Sequence, residues 1–396
     1  MECKRCGNTE KSWFAYDPFH RNYYCRKCIA FGRINADEEL KEIHYETSKR
    51  NCHYELKYPL TSAQQRAAAK IRQLQNEKKD ILIYAACGAG KTEIVMDSIM
   101  RYINAGKKVG FAISRRQVVL EIQARMAQAF PMLHVIAVCE GHHEESDGDL
   151  IICTMHQLYR YVHTFDLLIM DEIDAFPYRG NQLLETIAAH ACKGQRLYLT
   201  ATPDEKMLKQ TETGELGIVE LFQRPHAHPL ATPRVIHTYA SMQLLYLVRF
   251  LFRCRKAEIQ VLVFVPTIKD AKRYARWLRL LFRCTDLTSQ TDAKDQILAD
   301  FHKHKYDCLI TTTVLERGIT IKGIYVAVLH ADHIVFNEAS LIQIVGRVGR
   351  NIEMPSGEAI LLCQRMTSDI KRCIRAIQKM NETLPQSHTV KLGVRR

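Results

Sequence analysis

A run of apolar and β-branched residues, ILIYAA at 81–86, passes directly into CGAGKT and then into the helix-like stretch EIVMDSIMRYINAG, closed by Gly106. No other feature constrains the fold as tightly. A buried strand, a glycine-rich turn and an amphipathic helix make half of a βαβ unit, and such units build parallel sheets. Gly88, Ala89 and Gly90 would let backbone N–H groups approach an anion at the helix N-terminus, where partial positive charge favours it. Lys91 could then reach β- and γ-phosphate oxygens, and Thr92 could hold Mg²⁺. The loop departs from G-x-x-x-x-G-K-[ST] only at its first position, where Ala85 stands.

The same alternation continues along the chain. VGFAIS (109–114), LIICT (150–154), LLIMDE (167–172) and RLYLTAT (196–202) read as further buried strands. After them comes an irregular stretch with four prolines, ending in RPHAHPLATP at 224–233. It reads as a linker over 206–233. A second series follows, with VLVFVP (261–266), DCLITTT (307–313) and YVAVLH (325–330). The expected architecture is α/β, with tandem parallel-sheet domains at 55–205 and 234–396. No apolar run approaches the roughly 18 residues of a membrane span. The start, MECKRCGNTEK, lacks the apolar region of a secretory signal.

LLIMDEID places Asp171 at the end of a buried strand, where it could bind Mg²⁺ through water. Glu172 is then positioned to polarise an attacking water. Asp174 either joins this acidic set or caps the next helix. Far downstream, QIVGRVGR puts Arg347 and Arg350 three residues apart, on one side of a helical turn. Guanidiniums brought from a second domain to a transferring phosphoryl group would act as arginine fingers.

The amino-terminal segment has its own logic. CKRC at 3–6 and CRKC at 25–28 leave eighteen residues between the two pairs, a spacing that fits a four-thiolate structural Zn²⁺ site. Cys3, Cys6, Cys25 and Cys28 are the expected ligands of a ribbon over 1–45 that stands apart from the sheets. The other ten cysteines are scattered, several inside apolar runs, as in a protein kept reduced. The net charge of +13 is concentrated: residues 234–396 hold 26 Lys and Arg against 14 Asp and Glu. Such a surface either holds a polyanion or serves solubility.

Taken in order, these segments resemble the superfamily 2 helicases and translocases, whose first motif is A-x-x-G-x-G-K-T, so that Ala85 fits the pattern. The resemblance spans residues 60–350 and implies two RecA-like domains hydrolysing ATP with Mg²⁺. LTSAQ (60–64) resembles the upstream glutamine motif, making Gln64 the adenine reader. SRR (114–116) and TMHQL (154–158) fall where relatives contact nucleic acid, implicating Arg115, Arg116 and Thr154. Motif III, TAT at 200–202, and Gln343 in motif VI imply coupling roles for Thr200, Thr202 and Gln343. VFVPT (263–267) and TTTVLERGIT (311–320) implicate Thr267 and Thr312 at DNA, and Gly318 at the nucleotide. Thr320 stands where many relatives carry a ribose-binding aspartate.

The four-cysteine ribbon followed by LTxxQ, DEIDAFPY, FVPT and TTxLERGIT is similar to the ComFA family of late-competence ATPases. That resemblance implies an ATP-driven motor on single-stranded DNA, in the cytoplasm or peripheral at the inner face of the membrane. Its implied partners are a ComFC-like competence protein and the DNA-uptake channel, and self-assembly is compatible with it. Two other readings stand beside it. One is a PriA-like replication-restart or repair helicase, whose relatives are longer and carry their zinc cysteines between the motor halves. The other is a nucleotide-switched DNA-binding scaffold, against which Lys91, Asp171, Glu172, Arg347 and Arg350 argue.

Overall fold

The computed structural model describes residues 1–384 except 143, 318–320, 322 and 351–352. The chain divides into two units, Met1–Ala85 with Gly90–Leu221, and Ala86–Ala89 with Phe222 onward. The first unit opens with a hairpin, β1 (Phe14–Asp17) and β2 (Asn22–Cys25), paired antiparallel with Phe14 opposite Cys25 and Tyr16 opposite Tyr23. Its main sheet comprises β3 (Ile81–Ala85), β4 (Val109–Ile113), β5 (Val135–Val138), β6 (Leu150–Thr154), β7 (Phe165–Asp171), β8 (Cys192–Thr200) and β9 (Gly217–Leu221). These seven run parallel in the order β5-β6-β4-β7-β8-β3-β9. Helices cover both faces of such a sheet, which is why its strands are apolar end to end and not alternating.

The second unit carries β10 (Arg234–His237), β11 (Gln260–Phe264), β12 (Cys284–Leu287), β13 (Cys308–Thr311), β14 (Ile324–Val328) and β15 (Ala359–Cys363). They too are parallel, in the order β10-β15-β14-β11-β13-β12. Helix Ala240–Lys256 and helix Ile268–Leu278 bury Leu247, Phe250, Leu251, Ala271, Tyr274 and Leu278 against this sheet. Every expected strand is present, so the α/β class with two parallel-sheet, RecA-like domains holds.

Two expectations need correction. The segment 206–233 is not an irregular linker throughout. Helix Glu205–Glu212 is capped by Asp204, and β9 pairs with β3 as the edge strand of the first sheet. Its prolines flank these elements without interrupting them. The ribbon, likewise, does not stand apart. Phe31 stacks on His156 with centroids 6.0 Å apart and packs on Tyr159 at 5.3 Å. Phe31 and Leu183 each touch both the ribbon's core and the core of the first sheet. The following chain is strapped down as well, by Tyr45 against Tyr161, Tyr54 against Phe130, and hydrogen bonds in both directions between Cys52 and Asn104.

The former linker also supplies a residue that organises the second unit. Arg224 is buried and donates to the carbonyls of Gly346, Val348 and Gly349 at 2.8, 2.7 and 2.9 Å. Gly349 sits at φ 68°, and a Cβ there would meet Pro355 O at 2.4 Å, so only glycine completes this turn. Burial, then the like charge of Arg350, draws the Arg224 pKa down to about 10, which leaves it charged at neutral pH. Arg224→Ala would leave the Val348 carbonyl without this donor and the Gly346 and Gly349 carbonyls with only Arg350 Nε at 3.0 Å and His226 Nε2 at 2.9 Å. It should cost roughly 1 to 3 kcal/mol. Thermal unfolding should show the loss, and a variant as stable as the wild type would refute the clamp.

Candidate nucleotide site and zinc centre

Strand register builds the nucleotide site. In the first sheet Tyr84 lies opposite Thr200, and Asp171 opposite Leu199. The phosphate loop, the acidic motif and TAT therefore leave the sheet side by side at its carboxyl edge. At the loop, Gly88 and Gly90 take φ values of 79° and 89°, which L side chains rarely adopt. A Cβ on Gly90 would meet Gln64 Nε2 at 2.2 Å, so the glutamine amide rests directly on the loop. Gln64 is held there by a reciprocal cap with Thr61, whose N–H donates to Gln64 Oε1 at 2.9 Å. Ala89 and Thr92 are buried, and the Lys91 ammonium lies 3.5 Å from Ala85 O.

The acidic residues occupy distinct environments. Asp171 is buried and its Oδ1 accepts the Glu172 N–H at 2.8 Å. Burial pushes its pKa up to about 6; the Lys91 ammonium opposes this and the Glu172 charge adds to it. A buried carboxylate so incompletely compensated fits a site completed by a cation such as Mg²⁺. Glu172 sits in left-handed backbone, φ 54°, and its Oε2 is buried without a hydrogen bond among the described residues. A strained residue with an unengaged carboxylate oxygen suits a group that handles water.

Asp174 is settled by geometry. Its two oxygens accept from Thr200 Oγ1 at 2.7 Å and Thr202 Oγ1 at 2.6 Å, and the Thr202 N–H donates to Thr200 Oγ1 at 2.9 Å. The next helix, Gln182–Ala191, is capped by Asn181 instead. Sequence spacing offered no signal for this pairing, because Asp174 and Thr200 are joined only by the parallel register.

The residues expected at nucleic acid divide between the units. In the first, Ile113 lies opposite Thr154, so SRR and TMHQL leave adjacent strands together. Arg115 is half-buried and begins helix Arg116–Ala129, while the exposed Arg116 donates to Glu140 O at 2.7 Å. In the second, Phe264 lies opposite Thr311, which brings the Thr267 and Thr312 segments together. Thr267 caps helix Ile268–Leu278. Gln343 and Arg347 are buried, and Arg350 Nε donates to Gly346 O at 3.0 Å. Gly318 and Thr320 lie outside the described residues. Arg224, the buried clamp on the 346–349 turn beside Arg347 and Arg350, is a residue that sequence reasoning missed.

Cys3, Cys6, Cys25 and Cys28 converge, all buried, with their sulfurs within 4.8 Å of one another. Cys3 Sγ lies 3.6 Å from Cys28 Sγ, and Cys6 Sγ 3.7 Å from Cys25 Sγ. A zinc tetrahedron with Zn–S near 2.3 Å has edges of about 3.8 Å, so the four sulfurs fit that ion. Arg5 donates to Cys28 Sγ at 3.1 Å and to the carbonyls of Cys28 and Gly32 at 2.8 and 2.6 Å. It fixes the second knuckle and would offset thiolate charge with an ion bound.

The fold and this set of motifs define a superfamily 2 ATP-dependent helicase or ATPase. Residues 57–205 match the family of the type III restriction enzyme res subunit, and 242–352 the helicase conserved C-terminal domain. Residues 1–42 match the competence protein ComFA N-terminal domain. The chain is 33% identical to the competence protein ComFA of Streptococcus pneumoniae, over 96% of this chain and 90% of that one. With its counterpart in Bacillus subtilis the identity is 31%, over 96% and 85%. The chain belongs to the ComFA family. Among solved structures, S. cerevisiae Dbp5 bound to RNA and ADP BeF3 matches with TM-score 0.58 at 16% identity, covering 81% of this chain and 91% of that one. Mycobacterium smegmatis Lhr bound to single-stranded DNA and AMP-PNP matches with TM-score 0.58 at 18%, covering 82% and 48%. At these identities the likeness concerns the fold.

Two outcomes follow. Asp171 has a folded pKa above its unfolded value, so the folded chain binds the proton more tightly. Its charge therefore costs stability above about pH 6, and the cost disappears as pH falls toward 4, a difference of roughly 3 kcal/mol. Asp171→Asn should abolish ATP hydrolysis yet raise the Tm at pH 7.5, with the gain shrinking by pH 5. An equal or lower Tm at pH 7.5 would contradict the burial cost. Cys25→Ser should remove zinc on metal analysis and also lower the Tm of the first unit, because Phe31 and Leu183 serve both cores. Stoichiometric zinc in that variant would reject the four-thiolate assignment.

Proposed function

We propose that this protein is an ATP-driven single-stranded DNA translocase that serves DNA uptake in natural transformation. The observation that carries this reading is the similarity to ComFA along almost the whole chain, together with the motif side chains Lys91, Thr92, Asp171, Glu172, Arg347 and Arg350. Lys91 neutralises the β/γ-phosphate oxygens and the loop N–H groups cradle them. Thr92 and Asp171 would hold Mg²⁺, which when bound screens the charge on those oxygens. Glu172 accepts a proton from the attacking water as the water oxygen bonds to the γ-phosphorus and the bond to the β-phosphate oxygen breaks, with ADP leaving. Arg347 and Arg350 stabilise the charge that develops on the phosphoryl oxygens, and Gln64 reads the adenine. Gly318 is assigned to the nucleotide by motif position alone.

Coupling to DNA runs through Thr200 and Thr202, gripped by Asp174 one strand away from the acidic motif, and through Gln343. Arg115, Arg116, Thr154, Thr267 and Thr312 track the phosphate backbone, supported by the excess of 26 basic over 14 acidic residues beyond position 233. No described helix is long and apolar enough to cross a membrane. Action at the inner face of the membrane, with a ComFC-like partner and an uptake channel, is part of the proposal by family likeness.

The test is ATPase activity. Single-stranded DNA should stimulate turnover far more than duplex of equal nucleotide content, and log affinity should fall linearly with log salt, about 0.7 per phosphate contacted. Arg350→Ala should lower kcat by about 10³-fold or more with nucleotide affinity largely kept. In a transformable host, Lys91→Ala should depress DNA uptake and spare repair of damaged chromosomes. The reverse pattern would replace this reading with the repair-helicase one.

A further inference from the structure

The hairpin at the front of the ribbon has a surface that neither zinc binding nor ATP hydrolysis uses. Tyr16 and Tyr23 are cross-strand partners, with ring centroids 5.2 Å apart, and remain 52% and 45% exposed. Phe19, in the turn that joins the strands, is 92% exposed. The ribbon's own core is made from its cysteines with Phe14 and Ile34, so these three rings contribute little to folding it. Exposed aromatic surface on so small a unit marks a binding face.

Charge indicates what occupies it. Between residues 11 and 33 the chain carries Lys11, Arg21, Arg26, Lys27 and Arg33 against a single acid, Asp17. That acid is already engaged, by Arg33 and by His20 at 2.7 Å. Exposed flat rings in a segment where cations outnumber acids complement a polyanion whose bases are free to stack, which describes single-stranded and not duplex nucleic acid. The location agrees. Phe31 fixes the ribbon on His156 and Tyr159, in the 3₁₀ helix Met155–Arg160 that begins immediately after Thr154. The hairpin thus belongs to the same packed body as a segment assigned above to the DNA backbone.

From this we infer that the hairpin is a stacking platform for single-stranded DNA, with Tyr16 and Tyr23 receiving bases and Arg21, Arg26 and Lys27 pairing with phosphates. The inference rests on the DNA-motor reading and adds to it a contact outside the two sheet domains. The ribbon then does more than stabilise the first unit: it adds base stacking to the phosphate contacts that the motor motifs make.

The experiment uses the full-length, zinc-loaded protein and two probes of equal length, oligo(dT) and an abasic strand, titrated by fluorescence anisotropy over a range of salt. The wild type should prefer oligo(dT). Tyr16→Ala with Tyr23→Ala should weaken oligo(dT) binding by about tenfold or more, while abasic binding and the salt slope stay unchanged. Tyr16→Phe with Tyr23→Phe should restore the preference, since a phenyl ring still stacks. Zinc content reports whether each variant keeps its ribbon folded. An alanine variant that retains one zinc and binds oligo(dT) as the wild type does overturns the platform, and if it has instead lost a protein partner, the face is a protein-docking surface. A wild type that binds neither strand would overturn the DNA-motor reading itself, and the platform with it.

Discussion

Burying carboxylates at the end of a parallel strand is unfavourable, and much of the first unit answers that cost. Asp171 emerges from β7 into a desolvated position, where the Glu172 N–H and the Lys91 ammonium act to lower its pKa. Asp174, three residues on, is fully satisfied by two threonine hydroxyls. The contrast fits the proposed roles: one carboxylate stays incompletely compensated, as a cation ligand would, while the other joins the end of β7 to β8. Both depend on the register that sets Asp171 opposite Leu199 and Tyr84 opposite Thr200. A one-residue slip in either pairing would separate the phosphate loop from the residues that act on what it holds.

Backbone shape carries as much of the site as side-chain chemistry does. Gly90 admits the Gln64 amide to within contact of the loop, and the cap that holds Gln64 also starts helix Ser62–Asn76. In the second unit the turn bearing Arg350 is closed from inside by one buried guanidinium bonded to three carbonyls. Each of these fixes the origin of a long side chain, so that its tip is delivered with little conformational freedom to lose.

Most central strands of both sheets were legible because each is buried on two faces and reads as an unbroken apolar run, although β15, equally buried between β10 and β14, was not singled out. The strands that escaped notice were mostly edges. β5 and β9 border the first sheet, and β10 and β12 the second. An edge strand such as Arg234–His237 or Cys284–Leu287 pairs on one side only and tolerates polar residues, which removes the signal. The site followed the same division. Gly88, Gly90, Lys91, Asp171 and the four ribbon cysteines announce themselves by local spacing. Arg224, the Asp174 grip on Thr200 and the ribbon's seat on Tyr159 arise from residues distant in sequence, and only the fold brings them together.

Phe31 and Leu183, each lodged in two cores at once, bear on how modular this chain is. The ribbon looks like a detachable amino-terminal unit, and its cysteine spacing suggests it could be exchanged for another. Its inner surface, however, is completed by His156, Tyr159 and Leu183 of the domain beneath. A ribbon transplanted from a relative would meet that surface as a stranger unless those contact residues travelled with it. The boundary of inheritance between the two parts therefore runs through the first sheet domain, well past the point where the ribbon's own backbone ends.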